Sequence, residues 1–142
     1  MKVQTILATK GTQVVTIRSA LTLREAVAVL AQHNIGALPV LADDGTLVGI
    51  VSERDVIQQI ARDPAILDAP VSVVMTRDVV VGSPQDELVA VLQTMDTRRF
   101  RHLPIVEQGR LVGVVSIRDL VKAQLDSYRG QLDTLETQLL DG

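Results

Sequence analysis

Leu38-Pro39-Val40 followed by Gly49-Ile50-Val51-Ser52-Glu53-Arg54-Asp55-Val56 decides the reading of this chain, because nearly the same text returns about 64 residues later. The second copy runs Leu103-Pro104-Ile105, then Gly113-Val114-Val115-Ser116-Ile117-Arg118-Asp119-Leu120. Its turn is one residue shorter, Glu107-Gln108-Gly109 against Ala42-Asp43-Asp44-Gly45. A repeat at that distance predicts two similar units packed together, and a site built by one can be built by the other.

Working outward in the first copy, Val14-Val15-Thr16-Ile17 reads as a short strand. Thr22 and Glu25, three residues apart, fit a capping box. The helix they open carries Leu23, Ala26, Val27 and Leu30 on one face. Ala37 to Leu41 and Thr46 to Val51 are apolar strands joined by a hairpin turn at Asp43-Asp44-Gly45. Ser52 opens a second helix that reaches about Ala61. Asp63-Pro64 through Ala69-Pro70 reads as a linker, since proline disfavours a continuing helix.

The second copy repeats this course. Val79-Val80-Val81 reads as the strand, and Ser83-Pro84 as a helix start with proline in its favoured first turn. Leu88, Val91, Leu92 and Met95 form the buried face, and Leu103 to Val106 and Leu111 to Val115 the hairpin. Each unit is therefore strand, helix, strand, strand, helix. The last helix runs on past the repeat. Val121, Leu125, Tyr128, Leu132, Leu135 and Leu139 alternate spacings of four and three, a heptad seam. That seam either folds back on its own body or meets a second copy of the chain.

The 142 residues suit one compact body that buries roughly 68–70% of its unfolded surface. With 46% hydrophobic residues and 1% aromatic, the core must be Val, Leu, Ile and Ala. No cysteine is present, so disulfide and thiolate chemistry are excluded. A net charge of -3 gives no general attraction to nucleic acid or anionic lipid, and stacking aromatics are scarce. No stretch approaches the roughly 18 apolar residues of a membrane span, and no signal-peptide pattern opens the chain. The expectation is a soluble cytoplasmic protein that binds neither nucleic acid nor membrane.

Ser52-x-x-Asp55 and Ser116-x-x-Asp119 each follow an apolar strand and open a helix. A hydroxyl and free N–H groups at a helix N-terminus attract anions, and a carboxylate one turn along can accept two hydrogen bonds from a ribose diol. The same pair is also an ordinary helix cap, and a duplicated fold duplicates its caps, so the residues alone leave both readings open. Arg98, Arg99, Arg101 and His102 precede the second Leu-Pro, where the first copy has His33, Asn34, Gly36 and Ala37. Guanidinium groups bind phosphate bidentately, which predicts more phosphate charge at the second site; solvated arginines at a helix end are the alternative. Arg54 and Arg118 either reach phosphate or pair with surface carboxylates. Two histidines and no cysteine argue against a zinc site. No nucleophile–base–acid set, metal spacing or P-loop is present, so neither an enzyme nor a catalytic cofactor is expected.

Gly-apolar-apolar-Ser-x-Arg-Asp after Leu-Pro-apolar, twice in a short chain, resembles a tandem pair of cystathionine β-synthase (CBS) domains. The likeness runs from about Val3 to Gln124 and includes Val74-Met75-Thr76. It implies an α+β fold of two βαββα repeats packed as a pseudo-twofold, disc-shaped pair. The divisions are 1–62 for the first repeat, 63–70 for the linker, 71–125 for the second repeat and 126–142 for a C-terminal helical extension. It implies two clefts for an adenosyl effector (AMP, ADP, ATP, an NAD-type dinucleotide or S-adenosylmethionine), a homodimer and a regulated protein partner of unknown identity. Carried over by motif, Ser52 and Ser116 contact phosphate, and Asp55 and Asp119 the ribose. Adenine is held near Val15, Ile17, Ala37 and Leu38 in one copy and near Val80, Arg101, His102 and Leu103 in the other. Two departures stand out: Glu53 becomes Ile117, and the first copy lacks a basic cluster. Its site is therefore empty, adenosine-selective, or dependent on cations from the other unit. The extended last helix resembles small stand-alone bacterial proteins of this kind. The alternative function is a dimeric docking protein with vestigial nucleotide sites.

Overall fold

A computed structural model of the chain describes residues 1–11 and 13–141. The first repeat is β1 (Ile17–Arg18), α2 (Leu23–His33), β2 (Ala37–Leu41), β3 (Leu47–Ser52) and α3 (Glu53–Arg62), after an N-terminal helix α1 (Val3–Lys10). A 3-10 turn (Pro64–Asp68) and a short helix α4 (Val71–Val74) lead to the second repeat. That repeat comprises α5 (Leu88–Arg98), β4 (His102–Glu107), β5 (Arg110–Ser116) and α6 (Ile117–Asp141). The fold is α+β, with two similar repeats and an extended C-terminal helix.

Each hairpin forms because its strands are apolar, the first strand of each being buried over consecutive residues. Leu38 pairs with Val51 and Val40 with Gly49; Leu103 pairs with Val115 and Ile105 with Gly113. Leu38, Val40, Val51, Leu103, Ile105 and Val115 are all buried. The capping box at α2 is present, with Thr22 Oγ1 accepting the Glu25 N–H and the Glu25 carboxylate accepting the Thr22 N–H at 2.8 Å. β1 runs parallel to β2, but it pairs only at Ile17 and Arg18, so of the Val14–Ile17 reading only Ile17 lies in the strand.

Three further differences from the sequence reading have physical causes. Val79–Val81 forms no strand; the equivalent pairing shrinks to one parallel bridge, Gly82 to Ile105. The helix expected at Ser83-Pro84 begins instead at Leu88. Ser83 and Asp86 spend their side chains on a turn: Asp86 Oδ2 accepts the Ser83 N–H at 2.9 Å and Ser83 Oγ the Gln85 N–H at 3.2 Å. The carbonyls of Pro84 and Asp86 meanwhile accept N–H groups of α1.

The third difference is α1 itself, which the sequence patterns did not announce. Val3 and Ile6 lie in the core of the second repeat, with Leu88, Met95, Ile105 and Leu120. In the same way Val71 and Met75, next to the second repeat in sequence, lie in the core of the first. Each sheet is thus covered by the segment that precedes the other repeat, and the two units interlock. Leu7 packs over Gly113 and Met75 over Gly49, the same contact twice. No described helix is long and apolar enough to cross a membrane.

Candidate functional site

Ser52 ends β3 and caps α3. Its hydroxyl oxygen accepts the Asp55 N–H at 3.2 Å, and Asp55 Oδ2 accepts the Ser52 N–H at 3.1 Å. Ser116 and Asp119 repeat this at α6, with 3.1 and 2.8 Å. Both motifs are capping boxes, as the helix-cap reading requires. A cap leaves part of the carboxylate free, however, because each oxygen has two lone pairs and a cap uses one of four.

Beside Ser52 and Asp55 opens a cavity of about 390 Å³. One wall is the first repeat: Gly36, Ala37, Ile50 and the run Ser52-Glu53-Arg54-Asp55. The facing wall comes from the second repeat: Arg98, Arg99, Phe100, Arg101, His102 and Pro104. The segment entering that repeat closes the side with Thr76, Asp78, Val79 and Val80. The arginines that precede the second Leu-Pro therefore share a cavity with the first repeat's Ser-x-x-Asp. Ser116, Arg118 and Asp119 are not among its lining residues, nor are Val15, Ile17, Leu38 and Leu103. Ile17, Leu38 and Leu103 are buried in the two cores.

Local geometry explains how the basic wall is presented. α5 ends at Arg99 in the left-handed region (φ 59), as α2 ends at Asn34 (φ 50). Asparagine is at ease there; arginine is not, and the conformation costs of order 1 kcal/mol. The turn takes the chain off the helix at Arg99, so that Arg99 and Arg101 line the cavity together with Arg98, the last helical residue.

Four arginines (Arg54, Arg98, Arg99, Arg101) and three carboxylate residues (Glu53, Asp55, Asp78) line the cavity. Burial pushes the His102 imidazole down, while Glu53 pulls it up, leaving it below its ordinary value. At neutral pH it is an uncharged ring with one donor and one acceptor. Gly36 permits this crowding: a Cβ there would stand 3.0 Å from His102 Nε2 and 3.4 Å from Glu53 Oε1. Among the described residues, Asp55 Oδ2 accepts only the Ser52 N–H, and no cation pairs with its carboxylate. The arrangement offers guanidinium donors for anionic oxygen, a carboxylate for hydroxyls, and apolar surface from Ala37, Ile50, Val79, Val80 and Phe100 for a ring. Among the described residues no three histidine, aspartate or glutamate side chains converge as a metal site.

Sequence reasoning missed Thr76, Asp78 and Val79 on the closing side, together with Ile50 and Phe100. The doubled Gly-apolar-apolar-Ser run held a signal for one of them, since Ile50 stands two residues before Ser52. Nothing local marks the others.

Comparison with known proteins agrees with this architecture. The CBS domain pattern matches residues 7–62 and 71–126. The chain is 37% identical over 119 residues to the CBS domain-containing protein YhcV of Bacillus subtilis, covering 84% of each chain. It superposes on a CBS-domain containing protein from Agrobacterium tumefaciens with TM-score 0.84 and 40% identity, covering 87% of this chain and 92% of that one. It is also similar to the CBS domain pair of protein MJ0100, whose structure holds 5'-methylthioadenosine and S-adenosyl-L-methionine. There the TM-score is 0.80 at 26% identity, over 89% of this chain and 98% of that one.

Proposed function

The chain belongs to the CBS domain family, and on that premise we propose that it is a regulatory module. Its cavity takes an adenosyl ligand (AMP, ADP, ATP, an NAD-type dinucleotide or S-adenosylmethionine) and signals occupancy to a protein partner. The observation that carries this reading is the shared cavity: Ser52 and Asp55 of one repeat face Arg98, Arg99, Arg101 and His102 of the other. Asp55 accepts the ribose hydroxyls, the arginines and Ser52 hold phosphate or its substitute, and the apolar side near Ala37 and Val80 takes the base. A volume of about 390 Å³ lies in the range of small-molecule sites, roughly 300–1,000 Å³.

Because the ligand would touch both repeats, its binding free energy depends on how they sit relative to one another. That is the differential affinity a sensor needs. Binding rather than turnover is favoured by the state of Ser52, whose hydroxyl oxygen accepts the Asp55 N–H while its proton goes to no carboxylate or imidazole among the described residues. MJ0100, with adenosyl ligands on a similar domain pair, supports the ligand class.

A homodimer through α6 is part of the proposal. Val121, Leu125, Tyr128, Leu132, Leu135 and Leu139 are all exposed on one continuous helix. Such a seam is stable in water when a matching helix covers it. A docking dimer without nucleotide is the second reading, and it rests on the same seam.

The test is calorimetric titration of ligand-free protein with AMP, ADP, ATP, NAD and S-adenosylmethionine, on wild type and Asp55→Asn. Micromolar binding weakened by about 1.5–3 kcal/mol in the variant supports the assignment. Equal affinity in both rejects the role of Asp55, and silence across the series leaves the docking dimer.

A further inference from the structure

α1 ends at Lys10, whose ammonium bridges two groups of the second repeat. Lys10 Nζ donates to the Val114 carbonyl at 2.8 Å and to Asp119 Oδ2 at 2.7 Å. The helix is anchored independently by Val3 and Ile6 in the core and by Leu7 over Gly113. The first repeat is built otherwise at the matching place. There the chain turns extended after Met75, and the Thr76 N–H reaches the Ile50 carbonyl at 2.9 Å. Ile50 and Val114 are equivalent positions, each two residues before the motif serine. A carbonyl that takes a backbone N–H in one repeat takes a lysine ammonium in the other. The length of that side chain carries the charge on to the aspartate.

The effect on the carboxylate is a matter of acceptor positions. Asp119 Oδ2 accepts from the Ser116 N–H and from Lys10, which fills both of its lone pairs. Asp55 Oδ2 accepts from the Ser52 N–H alone, so Asp55 can offer both oxygens to a diol. Asp119 has one oxygen left, beside a fixed cation that gives hydroxyl donors nothing to bind. Burial raises the Asp119 carboxyl, but the bonds from Lys10 and Ser116 outweigh it and hold it below the ordinary value.

We propose that Lys10 is a built-in occupant of the second Ser-x-x-Asp, so that each chain takes one adenosyl ligand, at Asp55, and residue 10 decides whether a second enters. The one-ligand count rests on the Ser-x-x-Asp reading given under Proposed function; the closure of Asp119 rests on the Lys10 contacts.

The experiment counts ligand sites per chain by equilibrium dialysis, with AMP and S-adenosylmethionine as probes. Four proteins are compared: wild type, Lys10→Ala, Asp55→Ala and the double variant. The expected counts are one, two, none and one. Lys10→Met, which keeps the aliphatic stem and a good helix former, should give the same gain and guards against loosening of α1 in the alanine variant. Two sites in wild type, or a count that stays at one or falls when Lys10 is replaced, overturns the proposal. If wild type binds one ligand, lost in Asp55→Ala, and the lysine variants gain nothing, the ligand assignment stands and the closure falls. If wild type binds none and the lysine variants bind one, the closure stands and the Asp55 assignment falls. If none of the proteins binds either probe, both fall.

Discussion

Gly49→Ala and Gly113→Ala are the same substitution at equivalent positions of two repeats, yet the structure sets different costs. A Cβ on Gly49 would stand 2.5 Å from Met75 Sδ, 2.8 Å from Met75 Cγ and 3.0 Å from the Thr76 carbonyl oxygen. Met75 is buried, and that carbonyl is held by the Ile50 N–H at 3.0 Å, so neither neighbour can retreat freely. Overpacking of this kind costs about 1–3 kcal/mol. Against it, alanine restricts the unfolded chain and returns about 0.4–1 kcal/mol, leaving a net loss of about 1–2 kcal/mol. A Cβ on Gly113 meets Leu7 Cδ2 at 2.5 Å, but the next atoms are at 3.6 Å. Leu7 is only half-buried, so its terminal methyl can rotate away, and the net change stays within about 0.5 kcal/mol of zero. Urea unfolding reads both variants. With a slope of about 1.5 kcal/mol per molar, Gly49→Ala lowers the midpoint by about 1 M while Gly113→Ala barely moves it. Equal shifts, or a larger loss at Gly113, would refute the argument that backbone and a buried thioether resist where a half-exposed methyl yields.

Other outcomes follow from the site and its supports. Asp119→Asn should leave adenosyl affinity within about twofold of wild type, because Lys10 already holds that carboxylate, while Asp55→Asn loses at least tenfold in the same titration. Arg99→Gly should raise stability by about 0.5–1 kcal/mol by relieving the left-handed arginine, and weaken phosphate-bearing ligands by removing a cation from the cavity. His102 is held below its ordinary value by burial, against the pull of Glu53, so the unfolded chain takes up the proton first as the pH falls. Stability is then full above about pH 6.5 and lost as the pH drops through the lower folded value; His102→Gln should flatten that slope in urea midpoints taken between about pH 7.5 and about pH 5.5. Leu132→Glu with Leu135→Glu places charge in the α6 seam and should shift sedimentation from dimer to monomer without changing the fold.

What could be read from the sequence is what local pattern encodes. The duplicated Leu-Pro and Gly-apolar-apolar-Ser runs predict both hairpins, and the buried set Leu38, Val40 and Val51 repeats as Leu103, Ile105 and Val115. Thr22 with Glu25, Ser52 with Asp55 and Ser116 with Asp119 are capping boxes legible from a spacing of three, because a cap is satisfied within one turn. α1 was not legible, since Val3, Ile6 and Leu7 form too short an apolar stripe to declare a helix whose partner lies about 80 or more residues away. The pairing of Arg98 to His102 with Ser52 and Asp55, and of Lys10 with Asp119, belongs to tertiary structure alone. Each joins groups from opposite repeats, and which repeat's face meets which is settled by the interlocking of two cores, a long-range packing that no local period records.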